Sequence, residues 1–259
     1  MIKYLETSQT TFYGGDCLEV MRSLSDKSIN LVVTSPPYNL KGTGGGTWRN
    51  RFGGRGEGAY NYRFRDGYSG FSDNMPDDEY VEWQKQILLE CWRLLADDGA
   101  IFYNHKNLHR SKKLLKADRC IPVILQEYLR QEIIWDRSGS PNWNAAYYLP
   151  KTERIFVLAK PKWKILINEC VAWGDIWKIS PVKKSDHPHP CPFPEEIPRR
   201  AIVSGCPENG VVLDPFCGGG TTNFVAQELG RKSIGIDIDC KYLDVAISRC
   251  SQMTIYGVV

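Results

Sequence analysis

An open α/β sheet with mostly parallel strands is the fold class this sequence predicts, and three observations predict it. A strand, a helix and a second strand follow one another between Thr11 and Ser35, the βαβ step that lays strands parallel. A second run of the same kind, from Gly210 to Asp237, inserts a glycine-rich turn between strand and helix and ends its last strand in an acid. At 259 residues, 42% hydrophobic and 24% charged, the chain is long enough to bury the core of one large domain.

The first strand, Thr11 to Asp16, closes on the turn Gly14-Gly15. Leu18, Met21 and Leu24 then recur at helical spacing, and Ser25-Asp26-Lys27-Ser28 ends that helix. The apolar run Ile29-Asn30-Leu31-Val32-Val33 leads into Thr34-Ser35-Pro36-Pro37-Tyr38-Asn39. Neither proline can donate to a sheet ladder and each restricts the residue before it, so the strand stops in a rigid loop. Open α/β sheets place ligands at the carboxyl ends of their strands. The loop offers one hydroxyl, a few carbonyls and an amide, followed by an aromatic face. That set suits holding a planar, amino-bearing group.

Residues 41–71 differ in kind, with ten glycines, six lysines or arginines, two acids and seven aromatics. A segment this rich in glycine is no core, and a loop of this length is either functional or disordered. Arg49, Arg51, Arg55, Arg63 and Arg65, interleaved with aromatics, suit phosphate contact and base stacking. The loop follows directly on the Pro-Pro-Tyr turn, which predicts that it overhangs the site.

A helix is predicted from Asp77, with acids in its first turn and Tyr80, Trp83, Ile87, Leu88, Cys91 and Leu95 on one face, ending at Asp97-Asp98-Gly99. The strand Ala100–Tyr103 follows, then a basic stretch from His105 to Lys116, a helix around Val123–Tyr128 and a strand Glu132–Trp135. Residues 138–144 are turn-rich, and Arg154–Ala159 is a strand expected to pair back antiparallel before Lys160-Pro161 stops it. Residues 162–198 are proline-rich and show little periodicity, which suggests a small appendage over 162–186 and a return linker. Trp143, Trp163, Trp173 and Trp177 are groove contacts or core aromatics, and isolated tryptophans favour the core. His187-Pro188-His189-Pro190-Cys191 lacks a fourth ligand at zinc-site spacing, so no metal is expected. A last helix–strand–turn–helix–strand series starts at Arg199 and ends at Asp237.

Composition narrows the classes. No apolar stretch approaches the roughly 18–20 residues of a membrane span. The start of the chain lacks the basic-then-apolar layout of a signal peptide. Nine scattered cysteines without a C-x-x-C pair read as reduced thiols of a cytoplasmic protein. A net charge of +3 permits a nucleic-acid partner without arguing for one.

The turn Pro215-Phe216-Cys217-Gly218-Gly219-Gly220-Thr221-Thr222 opens a helix, and Asp237 lies about 20 residues beyond it, as in dinucleotide-binding folds, where the distant acid takes a ribose diol. Asp214 directly before the turn would repel a pyrophosphate and attract an ammonium, and the turn carries no Walker lysine. Those departures favour S-adenosyl-L-methionine over NAD or ATP.

With both loops in view, the chain resembles the amino-methylating DNA methyltransferases, the N4-cytosine/N6-adenine family. With Ser-Pro-Pro-Tyr first and Phe-x-Gly-x-Gly last, it looks like their circularly permuted beta class. The resemblance covers nearly the whole chain. It implies a single catalytic domain, 1–259, with a Rossmann-like S-adenosylmethionine-dependent methyltransferase fold: a mostly parallel sheet with an antiparallel hairpin strand, circularly permuted. It also implies that the first strand lies beside the strand ending at Asp237. Asp16 with Cys17 matches the acidic position that contacts the cofactor's adenine. Ser35, Pro36, Pro37, Tyr38 and Asn39 match the catalytic loop, with Ser35 beside the cofactor as well. Residues 187–194, including His187, Phe193 and Pro194, look like the cofactor-side motif before the final lobe. Asp214, Phe216, Gly218, Gly220, Thr221 and Thr222 match the methionine-binding loop, and Asp237, followed by Ile238, the ribose acid.

The mechanism so implied is direct transfer. Ser35 and the Pro36 carbonyl would accept the two hydrogens of an exocyclic amino group and aim its nitrogen at the sulfonium methyl, while Tyr38 stacks on the flipped base. Asn39 fixes the loop or reaches the base. In the family a serine at the first loop position goes mainly with N4-methylcytosine and an aspartate with N6-methyladenine. Cytosine N4 is therefore the expectation and adenine N6 the alternative. Pro190-Cys191 and Glu208-Asn209 superficially resemble carbon-5 machinery but stand in the wrong places. Glutamine methylation would put asparagine in place of Ser35, and RNA amine methylation or a non-catalytic DNA module is a weaker reading. Double-stranded DNA is the expected partner, with a homodimer and a separately acting restriction endonuclease as further expectations. The interval 162–186 is short for a target-recognition region, so recognition would borrow from 41–71, 105–120 and 138–148.

Overall fold

In the computed structural model of this chain, residues 2–40, 73–138, 146–182 and 193–255 are described, the last four without side chains. The expected contacts of Arg49, Arg51, Arg55, Arg63, Arg65, Trp143 and His187 lie outside them.

The strands are β1 (Ile2–Glu6), β2 (Thr10–Gly14), β3 (Ile29–Thr34), β4 (Leu95–His105), β5 (Leu108–Arg110), β6 (Lys113–Leu115), β7 (Leu129–Asp136), β8 (Thr152–Ala159), β9 (Ile176–Lys178), β10 (Val211–Asp214) and β11 (Lys232–Asp237). Helices α1 (Cys17–Ser23), α2 (Asp77–Leu94), α3 (Val123–Gln126), α4 (Glu196–Gly205), α5 (Thr221–Glu228) and α6 (Cys240–Ile255) connect or cover them. Nine strands form one sheet in the order β1-β2-β11-β10-β3-β4-β8-β7-β9, and β5 and β6 form a separate hairpin. From β2 to β4 all neighbours run parallel, whereas β8 is antiparallel to both β4 and β7 and β1 is antiparallel to β2. Gly14 pairs with Asp237, so the first β-α unit docks beside the last strand, as the permuted order implies.

Successive residues of the central strands bury on opposite faces, which is why these strands read as continuous apolar runs. Val32, Ile101, Tyr103, Phe156 and Leu213 pack with α1 and α2 through Leu18, Met21, Ile87 and Leu88. Leu31, Val33, Phe102, Val157 and Val212 pack with α4 and α5 through Ile197, Ile202 and Val225. Each such side chain contributes about 1.5–3 kcal/mol by leaving water. Phe12, Cys217, Leu243 and Ala246 form a third cluster under α6.

Several elements differ from the sequence expectation, which includes neither β1 nor α6. α2 ends at Leu94, and Asp97-Asp98-Gly99 belongs to β4, where the register jumps from Ile29–Leu95 to Leu31–Ala100. Asp97 there pairs with Lys27 at 2.8 Å. The basic stretch after His105 holds the hairpin β5–β6, and the helix after it shortens to the single turn α3. Within 162–186, β9 joins the sheet edge parallel to β7 and brings the buried Trp177 into the second core cluster. Trp163 packs against the same cluster, edge-on to Phe102. Among the described residues, no helix is long and apolar enough to cross a membrane.

Candidate active site

β3 and β10 are paired strands, and their carboxyl ends carry the two sequence motifs side by side. Thr34, the last residue of β3, donates its hydroxyl to Asp214 Oδ1 at 2.9 Å, joining loops that are 180 residues apart in sequence. Beyond Thr34 the prolines lift the chain off the sheet. The Pro37 carbonyl accepts from Tyr80 Oη at 2.8 Å, and Tyr80 Oη lies 2.7 Å from His105 Nε2. Burial pushes the His105 imidazole down to about 4, so the ring is neutral near pH 7. Lys106 N donates to its Nδ1, and Tyr80, whose hydrogen goes to Pro37, is left to accept from Nε2. Asn39 is buried at φ 56° and its amide donates to the Met75 carbonyl at 2.9 Å. Asn39 therefore fixes the end of the loop, and Arg110 donates to its carbonyl from the β5–β6 hairpin.

Ser35 and Tyr38 face a buried polar cluster. Ser35 Oγ is 2.8 Å from Tyr38 Oη, which donates to Glu153 Oε2 at 2.9 Å. Asn104 Nδ2 lies 3.2 Å from Ser35 Oγ, 2.6 Å from Tyr38 Oη and 2.9 Å from Glu153 Oε2. Arg137 Nη1 pairs with Glu153 Oε1 at 2.7 Å. The Tyr38 ring sits 4.8 Å from the His105 ring, and Lys106 Nζ lies 5.4 Å from its centroid.

On the neighbouring strands, the turn after β10 wraps the amino end of α5. Gly220, at φ +73°, caps α5 under α6, where a Cβ would come within 2.6 Å of Ala246 Cβ. Asp214 is buried, and its carboxylate accepts from Thr34, from Thr222 Oγ1 at 2.7 Å and from Phe216 N at 3.1 Å. Burial pushes its acid up to about 6 against those three donors. The sequence reading turns this carboxylate toward a ligand ammonium; the structure sets protein donors on it as well, two on Oδ1 and one on Oδ2. Asp237 accepts from Gly218 N at 2.9 Å and from Asp239 N at 2.8 Å, and burial likewise pushes it up to about 6.

Asp16 caps α1 by accepting from Glu19 N at 3.0 Å, while burial pushes the adjacent Cys17 thiol up. Ile238 is 48% exposed at the end of β11, and Phe216 meets Trp83 edge-on at 5.6 Å. Thr221 Oγ1 accepts from Arg249 at 3.0 Å. Phe193 packs edge-on to Trp135 and Pro194 accepts from Ile197 N, so both described residues of the 187–194 motif contact the core or α4. The structure thus gathers Ser35, Tyr38, Asp214, Phe216 and Asp237 at one end of the sheet.

The sequence model of the DNA methylase family matches residues 29–248, a span that takes in both loops. The chain belongs to the DNA methylase family. Among curated relatives, it is 26% identical to the Type II methyltransferase M.BglII of Bacillus subtilis, over 90% of this chain and 67% of that one. It is 21% identical to the DNA adenine methyltransferase YhdJ of Escherichia coli, over 95% of this chain and 84% of that one. Among solved structures, PvuII DNA methyltransferase (cytosine-N4-specific) aligns at TM-score 0.71 and 21% identity, over 94% of this chain and 86% of that one. A putative DNA modification methylase from Thermus thermophilus, solved with S-adenosyl-L-methionine, aligns at TM-score 0.63 and 23% identity, over 93% of each chain.

In this DNA methylase, Asn104, His105, Arg137 and Glu153 are the site residues that sequence reasoning missed. Asn104 and His105 carried a usable signal, since they are the polar pair ending the apolar run of β4 on the ligand side of the sheet. Glu153 carried none. It stands second in β8, and only the antiparallel pairing of Asn104 with Ile155 and His105 with Arg154 turns that end toward the loop.

Proposed function

We propose that this methylase transfers a methyl group from S-adenosyl-L-methionine to the exocyclic N4 amino group of cytosine in double-stranded DNA. The observation that carries the base is Ser35, a neutral hydroxyl at the first position of the loop with Asn104 and Tyr38 against it. The donor set suits the cofactor: Asp16, Asp214 and Asp237 put carboxylates around a turn that offers no lysine to a phosphate, and the exposed Ile238 offers an apolar wall beside Asp237. Asp237 would take the ribose, Asp16 the adenine, and the turn from Phe216 to Thr222 the methionine. Bound there, the cofactor would supply an electrophilic sulfonium methyl and leave as the thioether, with the methylated nitrogen giving up one of its two hydrogens to solvent as a proton.

Cytosine N4 is a poor nucleophile because its lone pair is shared with the ring. Ser35 Oγ and the Pro36 carbonyl would accept its two hydrogens, draw the nitrogen toward tetrahedral geometry and aim it. The Tyr38 ring would stack on the base once flipped. Duplex contact falls to Arg49, Arg51, Arg55, Arg63 and Arg65, with 162–186 as a short recognition segment. A cytoplasmic setting, pairing of two copies and a separate endonuclease belong to the same reading.

Adenine N6 is the second reading, favoured by the likeness to YhdJ. Mass spectrometry of nucleosides from amplified DNA incubated with the protein and labelled cofactor decides between them. N4-methylcytosine is expected; N6-methyladenine replaces the base assignment, and no labelled nucleoside overturns the activity.

A further inference from the structure

Polar groups from four segments meet beneath the Pro-Pro-Tyr loop: Ser35 and Tyr38, Asn104 of β4, Arg137 after β7, and Glu153 of β8, which is only 3% exposed. A carboxylate has no hydrogen to give, so each contact to Glu153 has a fixed sense. Tyr38 gives its one hydroxyl hydrogen to Glu153 Oε2 at 2.9 Å. With that hydrogen used, the 2.8 Å contact between Ser35 Oγ and Tyr38 Oη has a single polarity, in which the serine donates. Asn104 Nδ2 shares two hydrogens among Tyr38 Oη at 2.6 Å, Glu153 Oε2 at 2.9 Å and Ser35 Oγ at 3.2 Å. With its own hydrogen given to Tyr38, the serine keeps at least one lone pair and no hydrogen, so toward substrate it can only accept.

We propose that Glu153 is a positioning residue for methyl transfer: by polarising the chain from Ser35 through Tyr38 to itself, it makes Ser35 meet the substrate amino group as an acceptor. The proposal rests on reading Ser35 as the acceptor for that group. Arg137 makes the choice of glutamate over glutamine matter. In Glu153→Gln the amide oxygen stays with Arg137, which needs an acceptor, and the NH2 turns toward Tyr38. Tyr38 then accepts from the amide, its own hydrogen turns toward Ser35, and the serine hydrogen that Tyr38 had accepted is freed toward the substrate amino group. The same substitution sets two NH2 groups against each other, because Asn104 Nδ2 also points at this oxygen.

The test is single-turnover transfer of labelled methyl from S-adenosyl-L-methionine to amplified, unmodified bacterial genomic DNA. It compares the wild type with Ser35→Ala, Glu153→Gln, Tyr38→Phe and the Glu153→Gln/Tyr38→Phe pair. Melting curves and calorimetric cofactor binding accompany each variant. Glu153→Gln is expected to slow transfer about 10- to 100-fold, the range for losing a charge-assisted hydrogen bond, with cofactor affinity held within about twofold. In the Tyr38→Phe background it should add less than its full factor, since the chain through Tyr38 is already cut and only the Asn104 contact is left to lose. A wild-type rate in Glu153→Gln, or the full factor repeated on top of Tyr38→Phe, overturns the proposal. If Glu153→Gln does not fold, Tyr38→Phe reads the same chain without touching the buried ion pair, and a wild-type rate there overturns it. Ser35→Ala separates the two readings: at the wild-type rate it overturns the Ser35 assignment and the proposal together. A slow Ser35→Ala with an unaffected Glu153→Gln overturns the proposal alone.

Discussion

Asp214 shows how much a single residue can join. Its carboxylate holds Thr34 at the end of β3 and Thr222 and Phe216 of the glycine-rich turn, so one side chain ties the proposed catalytic and cofactor loops together above the β3–β10 pairing. Burial raises its acid from 3.8 to about 6, and the sign of the linkage follows. Between those values the folded state binds more protons at this group than the unfolded one, so the contribution of Asp214 to stability is greatest below pH 3.8 and falls as pH rises to about 6. Asp237 acts in the same sense, while His105, lowered from 6.5 to about 4, acts in the opposite one. Asp214→Asn removes one of these terms while keeping an acceptor for Thr34. Relative to the wild type, its stability is expected to climb between pH 4 and 6 by at most about 3 kcal/mol and level off above, read as a rise in relative melting temperature. Parallel melting curves across that range would refute the assignment. The importance of Asp214 was legible from the turn beside it. Its partners were not, because Thr34 lies at the far end of the sequence and a threonine before a serine carries no signal.

At the scale of elements, the turn from β10 into α5 depends on α6. Gly220 adopts a left-handed conformation, and a side chain there would strike Ala246 of α6 at both Cβ (2.6 Å) and Cα (3.0 Å). Gly220→Ala is expected to destabilise the fold by about 2–4 kcal/mol, combining overpacking with left-handed strain. It should also weaken cofactor binding, read by thermal melting and calorimetry. Adding Ala246→Gly should recover the packing part and leave the strain. The parallel β-α-β steps were readable because they follow from apolar runs and helical spacing alone. The hairpin β5–β6 and strand β9 were not, being only three residues each, too short for periodicity, and held by partners elsewhere in the chain. The end of α2 was misplaced for a related reason. Leu94 and Leu95 are both fully buried apolar residues, so nothing in the sequence marks where one stops being helix and the next becomes strand.

For the whole molecule, the permuted order is a matter of which strands become neighbours. β2 lies along β11, and Gly15 N donates to the Asp237 carbonyl at 3.0 Å, so the acid near the start and the acid near the end of the chain face one site. DNA must reach that end of the sheet, and the proposed contact is the arginine loop. Replacing Arg49, Arg51, Arg55, Arg63 and Arg65 with glutamine should weaken DNA binding and lower its salt slope by up to about 4–5 units. An unchanged slope in a filter-binding salt titration would move the contact surface elsewhere. The sequence by itself determined the fold class, the two loops, their order and the family, because these rest on local runs, prolines and glycines that act on their immediate neighbours. Only the tertiary structure decided that Asp214 is a protein-to-protein tie and that Glu153, Asn104 and Arg137 stand under Ser35. Hydrogen-bond polarity depends on which strands meet, and an antiparallel strand brings its beginning to a site where parallel strands end.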